Sequence, residues 1–213
     1  MLRCLLLTIC TIVCLHAADD ARTRALAVAT AHGSEQWNAV QTLRFTWTHH
    51  PSGKVRSYVW DRTTDNVTVT IGDTVTTVPA AGGELDENQR NAHKAFINDS
   101  YWFLFELHLA WDNVTFELLP ATELAELDGA GMLTPLRVTY PSAGGYTPGD
   151  AYVLYLTDSN DVAAWAFHPG DAATPKIITT RADEWQGHGL TLPTRFVRVG
   201  GDPFISITAI SAE

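Results

Sequence analysis

With 14 lysines and arginines against 24 aspartates and glutamates, a formal charge of −10 over 213 residues, the composition argues against nucleic acid and anionic lipid headgroups as partners. Both need positive charge at the contact. All three cysteines, Cys4, Cys10 and Cys14, lie near the start, so the rest of the chain offers no disulfide, thiol nucleophile or thiolate zinc site.

Met1 to Arg3 is a basic start, Cys4 to Leu15 an apolar run, and His16-Ala17-Ala18 a small-residue exit. That order describes a secretory signal peptide cleaved after Ala17 or Ala18. A bilayer span needs about 20 apolar residues, more than this run supplies. The reading is a leader over 1–18 and a single domain over 19–213. A cysteine-free exported chain fits a bacterial periplasm better than an animal extracellular space. The N-x-[ST] triplets at Asn66, Asn98 and Asn113 read as polar turns rather than glycan sites.

Ala21 to Val40 reads as a helix broken near Gly33, with Leu26, Val28, Ala29, Trp37 and Val40 along one side. The period then changes to two. Leu43, Phe45 and Trp47 alternate with polar residues, and Val55 to Arg62 returns as a second strand after the turn at His49 to Lys54. Val67–Ile71, Gly72-Asp73 and Thr74–Val78 form a hairpin signal. Asp86 to Ile97 predicts a second helix ending near Asn98-Asp99-Ser100. The apolar stretch "YWFLFELHLAW" (101–111) follows, and from Phe105 it reads as extended, with Phe105, Leu107, Leu109 and Trp111 opposite Glu106, His108 and Ala110. After a short polar-apolar stretch at Thr115 to Leu127 come six strand-type runs: 136–140, 151–157, 162–167, 176–185, 192–199 and 204–210. The expected class is α+β, a large curved antiparallel sheet (half-barrel) with a few helices covering the concave side.

No H-E-x-x-H, G-x-S-x-G or phosphate-loop motif is present, so no catalytic residue, metal ligand or cofactor is assigned. His49-His50, His168 and His188 sit in expected turns and read as solvated. Glu106 and His108, two apart, would share one strand face. They read either as an acid/base or headgroup-binding pair, or as the wet face of an amphipathic strand. The tryptophans Trp47, Trp60, Trp102, Trp111, Trp165 and Trp185 fall in strand-type segments or their approaches and form either packed core or an apolar pocket under the sheet.

The hairpin "DAYVLYLTDSNDVAAWAFHP" and the segment "NDSYWFLFELHLAWDNV", with the leader, the N-terminal helix and the long meander, resemble the LolA-like superfamily of periplasmic lipoprotein carriers. The paired-strand unit with an acidic turn matches Tyr152 to Leu156, Asp158 to Asp161 and Val162 to Phe167. The resemblance implies an open β half-barrel, closed by helices, whose apolar interior accepts acyl chains. Arg44 is a positional candidate for the arginine that gates release in the carriers.

The function expected is an exported, non-enzymatic periplasmic protein that binds a lipid, an acylated lipoprotein or another apolar ligand, with an envelope lipoprotein or a membrane acceptor as partner. Its cavity would be lined from Trp47, Trp60, Trp102, Phe103, Phe105, Leu107, Trp111 and Trp165. The alternatives are an envelope interaction module with a packed core, and a hydrolase using Glu106 and His108.

Overall fold

The computed structural model describes residues 19–125, 127, 129–143, 146 and 148–213, so the expected leader lies outside the described residues. Among the described residues the architecture is α+β, as expected: one open antiparallel sheet of eleven strands and two α-helices. Helix α1 covers 19–31 and helix α2 Glu87–Trp111. The strands are β1 (Thr42–His49), β2 (Lys54–Asp61), β3 (Asn66–Ile71), β4 (Thr74–Pro79), β5 (Thr115–Leu118), β6 (Thr134–Thr139), β7 (Ala151–Leu156), β8 (Val162–His168), β9 (Ile177–Gly187), β10 (Leu190–Arg198) and β11 (Pro203–Ala212). No helix among the described residues is long and apolar enough to cross a membrane. The chain divides into two compact units, the first holding 19–28 and 109–178, the second 29–108 and 179–213.

In the first unit the hydrogen-bonded order is β8-β7-β6-β5. Leu136, Val138, Val153, Leu154, Leu156, Ala164, Trp165 and Ala166 are buried, and Tyr152 stacks on Trp165 with ring centroids 5.2 Å apart. Ala21, Ala25 and Val28 recur at helical spacing and are fully buried. The Arg24 guanidinium donates to the Thr157 carbonyl at 2.8 Å, anchoring α1 at the end of β7.

The second unit orders its strands β4-β3-β2-β1-β11-β10-β9. Period-two patterning sets its buried face. Leu43, Phe45 and Trp47 of β1 lie opposite Trp60, Tyr58 and Arg56 of β2, and Tyr58 and Trp60 lie opposite Val69 and Val67 of β3. A slip of one residue would turn that whole set to solvent, so the alternation specifies the register. Gly72, at φ 58, supplies the positive φ that the two-residue β3–β4 turn needs.

Helix α2 departs from expectation. It begins as read, with Asp86 and Gln89 exchanging backbone and side-chain hydrogen bonds of 3.1 and 2.9 Å in a capping box. It then continues through Asn98-Asp99-Ser100 and ends only at Trp111, so the extended segment expected from Phe105 onward is helix instead. The physical reason is tertiary. Asp99, a poor helix former, is wholly buried against charged and hydroxyl partners on the sheet, which outweighs a propensity cost of a few tenths of a kcal/mol. The backbone kinks at Leu104 (φ −117, ψ 15), one turn after Ser100, whose hydroxyl donates to the Ile97 carbonyl at 3.0 Å.

Candidate functional site

The stripe of α2 that meets the sheet of the second unit is Ala92, Phe96, Asp99, Phe103 and Glu106, spaced three or four residues apart and at most 4% exposed. Phe96 meets Trp60 edge-on with ring centroids 5.2 Å apart, and Phe103 meets Phe45 at 5.0 Å. Burying one such ring contributes about 2–3 kcal/mol. The stripe is unusual in carrying two acids, seven residues and two turns apart, on either side of the kink.

Each acid meets an arginine from the sheet. Asp99 accepts from Arg56 at 3.0 Å and from the Tyr58 hydroxyl at 2.5 Å, and Asn98 donates to it at 2.8 Å. Burial pushes the Asp99 carboxyl up to about 6, against the pull of Arg56 and the hydrogen bonds. Burial likewise raises the Tyr58 phenol, helped by the neighbouring Asp99 charge.

Glu106 pairs with Arg181 of β9, and His32 Nε2 stands 4.0 Å from the same carboxylate. Burial lowers the Arg181 guanidinium to about 9, with Glu184 pulling the other way. Arg181 lies opposite Phe196 in the β9–β10 register, and its guanidinium sits 5.7 Å from that ring. His32 is held by a close backbone approach, in which Thr191 donates to the His32 carbonyl at 3.3 Å. Gly33, next in the chain, packs against the backbone of Gly189 where a Cβ would collide with the carbonyl.

Glu106 and His108 are not brought together. Two residues apart on a helix they point about 200° around the axis from each other. Glu106 turns inward and is 0% exposed, while His108 stacks on Tyr101 with ring centroids 4.1 Å apart. Neither the shared strand face nor the wet-face reading describes them. The same geometry separates Phe105 from Leu107 and Leu109 from Trp111, so these four do not form one wall.

The expected cavity residues divide. Trp47, Trp60 and Phe103 share the helix–sheet layer of the second unit, where Trp47 is 4% exposed and Trp60, half-buried, packs against Trp37 and Phe96. Trp102 is partly buried, with Phe196 at 5.1 Å and Phe204 at 5.4 Å. Phe105 and Leu107 are fully buried on α2. Trp111 and Trp165 belong to the first unit. His49 and His50 take different partners, the Ser52 and Ser206 hydroxyls, each at 2.6 Å.

Sequence reading missed Arg181, Arg56 and His32. Arg44, the positional candidate, is exposed on the opposite side of β1 from Phe45 and Trp47. Arg181 shares one side of β9 with Thr179, which is fully buried, but two polar residues in alternation do not mark that side as interior in the sequence. Compared with known proteins, the sequence matches no protein-family model and no curated relative.

Proposed function

We propose that the chain is an exported, non-enzymatic binding protein of LolA-like kind that holds a lipid, an acyl chain or another apolar ligand, working in the bacterial periplasm and handing its cargo to an envelope lipoprotein or membrane acceptor. The observation that carries this reading is that the aromatic packing around α2 reaches the surface at Trp102, ringed by Phe196 and Phe204, rather than ending inside the layer. A partly exposed aromatic ring beside a packed aromatic layer offers an acyl chain apolar surface on which to leave water. A second reading, an interaction module with a packed core, draws on the complete burial of Phe103, Phe105 and Leu107.

The test is native mass spectrometry of the mature protein isolated from a bacterial periplasm, followed by organic extraction. A stoichiometric lipid adduct is expected, lost or weakened in Trp102→Ser, a partly exposed position, with folding of the variant checked by circular dichroism. A clean apoprotein that also fails to take up a fluorescent fatty acid overturns the binding reading in favour of the packed module.

A further inference from the structure

At one end of the second unit, cationic side chains and aromatic rings alternate in a ladder. Arg56 lies opposite Trp47 and Lys54 opposite His49 across β1 and β2, while His49 lies opposite Ile205 of β11, which brings the β10–β11 turn to the same end. The Arg56 guanidinium covers the Trp47 ring at 4.2 Å, Trp47 stacks on His49 at 5.9 Å, His49 meets Phe204 edge-on at 4.9 Å, and Arg198 covers Phe204 at 4.6 Å. Lys54, His50 and Arg198 are exposed. Phe204 is also the ring that Trp102 touches, so the ladder adjoins the place where the aromatic layer surfaces.

The charge here is less negative than that of the whole chain. Arg56 is neutralised by Asp99, but among the described residues neither Lys54 nor Arg198 has a carboxylate within ion-pair distance. Asp73 and Asp202, on the neighbouring β3–β4 and β10–β11 turns, are exposed acids. His49 is nonetheless held below its ordinary value, first by burial and then by four cations, Arg198, Lys54, Arg56 and His50. By count Asp73 and Asp202 offset Lys54 and Arg198, so this end is near neutral on a protein of net charge −10, and an anion meets less repulsion here than the chain as a whole would give it.

We propose that Lys54, His49 and Arg198, floored by the rings of Trp47 and Phe204, form a binding site for the anionic head, a phosphate or carboxylate, of an amphiphile whose tail enters beside Trp102. The tail half of this assignment rests on the apolar-ligand reading above; the head half stands on the ladder. Guanidinium and ammonium groups give charge-assisted hydrogen bonds to such oxygens, and the aromatic floor accepts the first methylenes of the chain.

The test titrates the full mature chain with dodecyl phosphate, dodecyl maltoside and inorganic phosphate, below micelle-forming concentrations, reading tryptophan fluorescence and heat. Dodecyl phosphate is expected to bind at least ~10-fold tighter than the maltoside and to weaken with added salt. The double variant Lys54→Gln/Arg198→Gln, both exposed and checked for folding by circular dichroism, should lose that preference while maltoside affinity stays put. Lys176→Gln, an exposed lysine of the first unit, should change nothing. Equal affinity for the two dodecyl compounds overturns the head site and leaves the apolar-ligand reading standing. Inorganic phosphate binding as tightly as dodecyl phosphate, with no maltoside uptake, supports the head site and overturns the lipid reading. No response to either anion overturns the head site outright.

Discussion

Arg181 and Glu106 form an ion pair inside the second unit, with side chains only 6% and 0% exposed. Taking both charges out of water costs several kcal/mol, which their attraction offsets only while both are present. Glu106→Leu alone should therefore cost about 3–5 kcal/mol, since it strands a buried guanidinium. Glu106→Leu combined with Arg181→Met should return stability to within about 1 kcal/mol of the parent. Urea unfolding of the four-member cycle measures this. Additive losses in the double variant would mean that the two side chains do not act as a pair.

The other acid of α2 yields a pH dependence. Asp99 titrates near 6 in the folded protein against 3.8 for the free group, so between those values the folded state binds the extra proton. Stability attributable to this group is complete below about pH 4 and is lost as pH rises through about 6, a change of about 1–3 kcal/mol. The stability difference between the parent and Asp99→Asn should shrink in the parent's disfavour across that window. Urea midpoints at intervals from pH 4 to pH 7 show it; a difference that stays flat, or grows with pH, removes the argument.

How far these features were legible differs by element. The strands were plain because Leu43, Phe45 and Trp47, and Tyr58 across from them, alternate with a clear polar set, and one buried face needs nothing more. The length of α2 was not, because Asn98-Asp99-Ser100 is a local stop signal that Arg56 and Tyr58 override from 41 to 43 residues away. Phe105 to Trp111 alternates well enough for a strand while its aromatics also suit a helix, and only packing decides between them. Strand β5 escaped notice as four residues with a single sheet partner, β6. The acid–arginine pairs were hidden for a different reason: Arg56 and Arg181 look in sequence like any surface arginine on a strand, and only a facing acid on another element marks them as interior.

Gly33 tests the backbone contact that holds His32 beside Glu106. Its φ is 90, and a Cβ there would strike the Gly189 carbonyl. Gly53 has a similarly positive φ of 66 with open space around it. Gly53→Ala should cost about 1 kcal/mol, conformational strain alone, and Gly33→Ala more than about 2 kcal/mol, strain plus collision. Equal losses in chemical denaturation would show that the Gly189 contact yields easily.

Ala209 occupies a bulge in β11 that changes the register with β1, so that Thr46 lies opposite Thr208 while Arg44 lies opposite Ser211. Its φ is 50, a conformation that costs an L-residue about 1–2 kcal/mol and a β-branched one more. At an exposed, regular strand position valine would normally beat alanine and alanine would beat glycine. At Ala209 the order should reverse: Ala209→Gly neutral or stabilising by up to about 1 kcal/mol, Ala209→Val destabilising by about 1–2 kcal/mol. The side chain is exposed, so lost core packing does not confuse the comparison. Thermal or urea unfolding of the three proteins decides it. A valine variant more stable than the parent would mean that β11 abandons the bulge for a regular ladder, which would turn the rest of the strand over and expose Ile205 and Ile207.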